Sequence, residues 1–491
     1  MAILPIISTR GGISDENDRG AEGAMKMSYG LDIHSPHGGI VGNGSLVAET
    51  EALSSLIVHF VSASDGSTYG FTNTGSIYVR SSAGSWNLAY SDENGAIKGA
   101  AEWGLSDGTE YLFWATNTSI ARKLLKGTGV VPWTDAVANW KTTLDPASFH
   151  TMKVAGGALQ IANNNYLATV DYEGEFDPSA LDIQPGNSIK AIDERDTYVV
   201  LGSVRDSDEE EGHLWSWIID SLSWLQKKRI PIRGVNAMVD SEMALLQGGD
   251  DGEIFAADFI NTVPLARLPG NAGEVNPGGV TVHEDLAMFG FYNTADQDGR
   301  EVDGVWSYGR KQKDRSLALN YEYRMSPQAG GSTIVEVGAL KSVGGVLLAS
   351  WETAEVVASA NKFGVDASSA TPAQMLYEGL EFDAGTPYIS KKFNTVKLAF
   401  ARFAGDYSGM TVSVKYRMDK DVSWEYAITG SGETTYTFSS STADQPDELV
   451  FSIGEPAKIY ELGLEIVPNG TVKPILPSVT TYLDDSGQEY G

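Results

Sequence analysis

The chain has 491 residues, 42% of them hydrophobic, no cysteine and a formal net charge of −30. The length exceeds what one hydrophobic core usually supports, and the apolar content excludes a wholly disordered chain. The missing cysteines exclude disulfides, thiolate metal sites and a cysteine nucleophile, and the charge opposes binding to nucleic acid or to an anionic membrane.

Met1 to Ile7 lacks the basic start and the apolar length of a signal peptide, so none is expected. No apolar stretch reaches the ~18–20 residues that span a bilayer, so membrane insertion is not expected. Residues 1–50 read as an N-terminal arm and ring-closing segment, because two apolar islands, Ile3 to Ile7 and Met25 to Ile33, flank a polar, turn-rich stretch. Such a segment cannot offset its own ordering entropy and must dock. The expectation is that the second island adds a strand to the last propeller blade and the first reaches a neighbouring subunit.

From residue 51 to 383 short apolar runs recur: Leu56 to Val61, Tyr111 to Ala115, Ala158 to Ala162, Thr197 to Leu201, Met243 to Leu246, Leu286 to Phe291 and Val346 to Trp351. Their spacing of roughly 40 to 60 residues is that of propeller blades. Many are followed by a turn and a Gly-led second strand, as in Gly75-Ser76-Ile77-Tyr78, Gly212-His213-Leu214-Trp215, Gly252-Glu253-Ile254-Phe255 and Gly304-Val305-Trp306. One such hairpin buries a single face, whereas about seven of them around an axis bury the inner strands on both sides. Thr134 to Trp140 and Ala373 to Tyr377 read as short helices. Gly385-Thr386-Pro387 reads as a linker.

Residues 384–491 change to period-2 alternation, in Val396 to Phe400, Val412 to Arg417, Thr435 to Phe438 and Ile459 to Ile466. This pattern puts one face in a core and one in water, so an antiparallel β-sandwich, jelly-roll-like, is expected. The fold class is therefore all-β: a propeller of about seven blades followed by a sandwich.

Chemistry-bearing motifs are scarce. Ser62 to Tyr69 approaches the Asp box of sialidase propellers, but Gly66 follows Asp65 directly, so a hairpin turn is the better reading. The acidic loops Asp206 to Gly212 and Asp296 to Glu301 supply clustered oxygens, which makes Asp206, Asp208, Asp296 and Asp298 calcium candidates; neither loop has EF-hand spacing. The six histidines form no His-Glu-x-x-His pair, and no nucleophile elbow, phosphate loop or cofactor-binding motif is present, so no catalytic residue and no cofactor is assigned. Trp215, Trp217 and Trp224 are the densest aromatic group and the glycan-stacking candidates, although in a blade such rings more often pack between sheets.

Gly12-Ile13-Ser14-Asp15, Tyr29 to His34 and the stretch Ser64 to Tyr78 resemble virion proteins of tailed bacteriophages. Val414 to Asp419 with Ser423-Trp424, and Pro474 to Val479 with Tyr482, resemble the sandwich modules of phage tail proteins. The resemblance implies a structural or adhesive, tail-associated virion role, with assembly in the host cytoplasm. Its partners would be other virion proteins, as a homo-oligomer or ring attached to the particle. A carbohydrate-binding host-receptor adhesin and a propeller glycosidase are the alternatives.

Overall fold

The computed structural model describes residues 2–6, 8–14, 23–36, 39–126, 132–205, 211–257, 259–296, 298–354, 362–383, 390–401, 406–421, 423–439 and 446–484. The linker expected at Gly385 to Pro387, and Asp206 and Asp208, lie outside them.

Among the described residues there are seven four-stranded sheets. The first six each take four consecutive strands. They begin with Ile57–Ser62, Gly99–Gly104, Met152–Ala155, Asn187–Arg195, Ala237–Asp240 and Glu274–His283. The seventh joins Ile334–Val343, Val346–Thr353 and Lys362–Pro372 to Gly44–Leu53. The first strand of every sheet lies against the first strand of the next, and Ile334–Val343 lies against Ile57–Ser62, so the series closes on itself. This is a β-propeller.

The continuous apolar runs now have a physical reason. Successive side chains of an inner strand point to opposite faces, and both faces meet another sheet. In Glu110–Ala115, Leu112 and Trp114 pack toward Phe71 and Ile77 of the first sheet, while Phe113 packs with Leu159 and Ile161 of the third. Leu201 and Trp215 of the fourth sheet face Leu167 of the third, whereas Val200 and Leu214 face Leu246 and Phe255 of the fifth. The Gly-led strands are the third strands of their sheets, Ser76–Arg80, Gly212–Trp217, Glu253–Ala257 and Gly304–Gly309.

The seam between seventh and first sheets is bonded directly. Ser350 Oγ donates to Ile57 O at 2.6 Å and accepts from Ala339 N at 2.8 Å. On the closing strand, Glu49 accepts from Arg80 Nε at 2.8 Å and from Trp86 Nε1 at 3.0 Å.

The chain divides into two compact units, one of residues 47–305 and 325–367, the other of 1–46, 306–324 and 368–491. This partition differs from the expected blocks 1–50, 51–383 and 384–491. The second unit holds two larger sheets. One runs Ala2–Ile6, Ser478–Asp484, Lys391–Ala399, Glu448–Ala457, Ile428–Thr429. The other runs Gly12–Ile13, Ala24–Tyr29, Met375–Gly379, Tyr460–Val467, Thr411–Met418, Glu425–Tyr426, with Thr435–Thr437 also paired to Thr411–Met418. Phe393, Val396, Leu398, Val412, Val414, Phe451, Leu464 and Val479 are fully buried there.

Three expectations are corrected. The strand that completes the last propeller sheet is Gly44–Leu53, not the island Met25 to Ile33, whose strand Ala24–Tyr29 pairs with Met375–Gly379. The first island pairs within its own chain, Ala2 opposite Leu483 and Ile6 opposite Val479. The two expected helices are a single 3-10 turn at Trp133–Asp135 followed by strand Val137–Lys141, and the strand Met375–Gly379. Their edges were free to hydrogen-bond with neighbouring strands, and sheet pairing outweighed local propensity. Among the described residues no helix is long and apolar enough to cross a membrane.

Two buried carboxylates of the second unit are well partnered. Glu322 accepts from Asn43 Nδ2 at 2.8 Å, Ser307 Oγ at 2.8 Å and Asn320 Nδ2 at 2.9 Å. Arg417 grips Glu461 through Nη2 at 2.6 Å and Nε at 3.1 Å, and Lys26 reaches the same carboxylate at 3.5 Å. Such pairs leave no charge uncompensated in a low-dielectric setting.

Candidate functional site

The first strands of the seven sheets surround the propeller axis and line one cavity, and a second lies near the starts of some of them. Toward the ends of those strands a cavity of about 540 Å³ is lined by His59, Glu102, Lys153, Asp193, Asp240 and Lys341, among others. Lys153 Nζ is 3.1 Å from Asp193 Oδ1. Burial lowers the Lys341 ammonium below its usual range, and the neighbouring Lys153 lowers it further. Burial also pushes His59 down to about 4, against a hydrogen bond with the Lys98 backbone. These six groups are held in place by the strands themselves, one from each of six first strands.

Toward the starts of the strands lies a second cavity of about 540 Å³, bounded by Phe149, Asn164, Ser188, Lys190, Arg205, Arg233, Asn236, Asp250 and Glu274. Its polar residues come from strands and turns of the third to sixth sheets. Asn164 stands in the left-handed region, φ 59°, in the turn between Ala158–Asn163 and Tyr166–Val170, where an asparagine is tolerated. Its Oδ1 accepts from Ser188 Oγ at 2.8 Å. Gly249 has φ 62°, and a Cβ there would lie 2.7 Å from Arg233 Cβ. A Cβ on Gly248 would lie 1.9 Å from Gly234 O. The two glycines therefore let the 248–250 turn close on the 233–234 loop, which sets Arg233 Nη1 3.1 Å from Asp250 Oδ1.

Around that pair, Lys190 Nζ is 3.5 Å from Asn236 Oδ1 and 5.6 Å from the centroid of the Phe149 ring. Asn236 Nδ2 donates to Gly249 O at 3.1 Å. Arg205 Nη1 is 3.4 Å from Glu211 Oε2, whose other oxygen is 2.7 Å from Arg229 Nη2. His213, behind this pair, is pushed down to about 4 by burial and then by Lys227, so it is neutral at pH 7. Glu274 Oε1 accepts from Asn293 Nδ2 at 2.7 Å. The arrangement offers fixed cations, amides and a half-buried ring. Among the described residues it contains no nucleophile joined to a base.

The candidates read from sequence lie elsewhere. Trp215 is 0% and Trp217 2% exposed, with Nε1 donating to Ser203 Oγ at 2.8 Å and to Ser221 O at 3.0 Å. Trp224 packs edge-on to Trp215 at 5.3 Å. Trp215 and Trp217 fill the space between the third and fourth sheets and offer no face to a glycan, and the partly buried Trp224 packs against them. Asp296 is buried; its Oδ1 accepts from Asp298 N at 2.9 Å and Arg300 N at 2.8 Å, and its Oδ2 accepts from Arg300 Nε. Asp298 Oδ2 is 3.6 Å from Arg300 Nη2, so one guanidinium lies beside both of these calcium-candidate carboxylates. Lys190, Arg205, Arg233 and Asn164 were not singled out from sequence. One signal was present: the basic run Lys227-Lys228-Arg229 to Arg233 in an otherwise acidic chain.

No protein-family model matches the chain, and no curated protein matches it. Among solved structures it is similar to the WD40 β-propeller domain of Doa1, at 11% identity and TM-score 0.43, covering 66% of this chain and 97% of that one. It is also similar to the WD40 repeats of RRP9, at 14% identity and TM-score 0.44, covering 67% and 100%. A third is the β-propeller domain of Cps50 (Swd1) from Myceliophteria thermophila, at 10% identity and TM-score 0.40, covering 66% and 99%.

Proposed function

We propose that the chain is a non-enzymatic structural protein of a tailed-bacteriophage virion, tail-associated, built as a seven-bladed propeller with a C-terminal antiparallel sandwich. The observation that supports it most is the closure of the seventh sheet by Gly44–Leu53, together with the pairing of Ala2–Ile6 on Ser478–Asp484. Strands from near both ends of the sequence are tied into sheets, which suits a part that is built into an assembly and must not unravel. The non-enzymatic part of the reading rests on the cavity carboxylates. Asp250 is engaged by Arg233 and Glu274 by Asn293, so neither is poised as a nucleophile or acid. Mass spectrometry of purified particles is expected to find the chain in many copies, and a map of the intact particle to show its position. Recovery only from infected-cell lysate, never from particles, counts against the reading.

A second reading, a host-surface carbohydrate adhesin, is favoured by the polar cavity with Phe149, Lys190 and Arg233. A glycan array probed with the intact protein tests it, and absence of binding to every glycan removes it.

A further inference from the structure

We infer that the cavity bounded by Lys190, Arg205 and Arg233 takes the carboxylate of an acidic sugar, a hexuronate or a sialic-type residue. The inference rests on the adhesin reading and names its ligand class.

Lys190, Arg205 and Arg233 line this hollow with Asp250 and Glu274, and Glu211 pairs with Arg205, so its charges are close to balance in a chain of net charge −30. An anion therefore meets less repulsion here than over a surface of the chain's average charge, and it meets fixed donors. Its size, about 540 Å³, falls within the ~300–1,000 Å³ of small-ligand pockets. Arg233 spends only Nη1 on Asp250, at 3.1 and 3.4 Å to the two oxygens. Its Nε and Nη2 are adjacent donors, the edge of a guanidinium that a carboxylate meets with two parallel hydrogen bonds. Asn164 spends Oδ1 on Ser188 and keeps its Nδ2 hydrogens for a hydroxyl.

The remaining groups suit a polyhydroxylated body behind that carboxylate. Asp250 and Glu274 can accept from sugar hydroxyls, and the Phe149 ring offers an apolar face to the C–H side of a pyranose. The same two carboxylates disfavour other anions. A phosphate carries up to two negative charges, and an acidic peptide brings several, all close to Asp250 and Glu274. A single carboxylate on a neutral, hydroxyl-rich ring meets the least repulsion.

The test is calorimetric titration of the intact protein with 3′-sialyllactose, a glucuronate-containing disaccharide, lactose and inorganic phosphate. At least one acidic sugar is expected to bind ten-fold or more tightly than lactose and than phosphate. Arg233→Ala should weaken that binding at least ten-fold, and Asn164→Ala several-fold, while Lys397→Ala, a surface position in the other unit, should leave it unchanged. Equal thermal melting of wild type and Arg233→Ala confirms that the variant is folded. Lactose bound as tightly as the acidic sugars, or acidic-sugar binding unaffected by Arg233→Ala, overturns the inference but leaves the adhesin reading standing. Phosphate bound more tightly than either acidic sugar overturns it as well. No binding of any glycan on the array overturns both.

Discussion

Lys415 Nζ lies 2.7 Å from the fully buried Glu378 carboxylate, reaching it across Gly463. Gly463 pairs with Glu378 on one side and Lys415 on the other, and a Cβ on it would come within 2.5 Å of Lys415 Cγ. The missing side chain is the corridor for the lysine stem. Gly463→Ala should therefore displace Lys415 and cost about 3 kcal/mol, the scale on which breaking one side of a buried pair is felt. Lys415→Met should cost a similar amount. In urea denaturation followed by tryptophan fluorescence, the double variant should lose far less than the two losses added together. Full additivity would mean that Gly463 acts independently of the pair.

Asp366, 0% exposed, accepts from Trp351 Nε1 at 2.8 Å and from Ser326 N and Oγ, both at 2.7 Å. Asp366→Ala strands three donors in the seventh sheet. A loss of about 3 kcal/mol or more is expected, since each abandoned buried donor costs about 1–3 kcal/mol. Asp366→Asn keeps most of the acceptors and should lose less. Denaturation midpoints of the two variants decide it.

Two groups of the propeller unit give opposite pH slopes. His59 is lowered from 6.5 to about 4 mainly by burial, so the unfolded chain takes its proton first. Its contribution is complete above pH 6.5 and declines as pH falls toward 4, by up to ~3 kcal/mol. Asp303 is raised from 3.8 to about 6, chiefly by burial, although it accepts from Thr294 N and Oγ1 at 2.8 Å. Its contribution is complete below pH 3.8 and declines as pH rises through 6, again by up to ~3 kcal/mol. Urea midpoints between pH 4 and 8 should show His59→Gln flattening the acid side and Asp303→Asn gaining stability at pH 7.5 relative to wild type. Unchanged slopes would reject these assignments.

Glu49 ties the closing strand to the first sheet through Arg80 and Trp86. Glu49→Ala should cost about 2 kcal/mol and raise hydrogen exchange in Lys362–Pro372, the neighbouring strand of the seventh sheet. Deleting residues 1–22 instead removes one of the two partners of Ser478–Asp484, leaving Lys391–Ala399. Exchange should then rise in Ser478–Asp484 and stay low in the sheets of residues 57–354. A uniform rise in either variant would show that the sheets open as one body.

Much of the propeller was legible because burial on both faces writes itself as an unbroken apolar run, as in Leu286 to Phe291. Tight turns were equally plain from Asp65-Gly66 and Asn73-Thr74-Gly75. The closing strand was not, since Gly44 to Leu53 contains Glu49, Thr50 and Glu51 and shows neither alternation nor a run. Its partner is some 300 residues away, and local pattern carries no information on pairing at that range. The cavity was hidden for a related reason. Phe149, Asn164, Lys190 and Arg233 are ordinary turn and strand residues one by one, and only the stacking of four sheets brings them to one rim. For the Trp215 group, packing between sheets was the commoner fate to expect, but sequence alone could not decide it, because an indole in a strand looks the same whether it faces solvent or the next sheet.

The pairing of early strands with late ones also dictates a timetable. During synthesis Gly44–Leu53 must wait for Lys362–Pro372, Ala24–Tyr29 for Met375–Gly379, and Ala2–Ile6 for Ser478–Asp484. Six propeller sheets can assemble as they leave the ribosome, each from consecutive strands, while three N-terminal strands remain without their edges covered. These late pairings are the slow, non-local ones. A nascent chain halted before residue 362 would keep its ring unsealed and present bare strand edges to proteases and to other nascent chains.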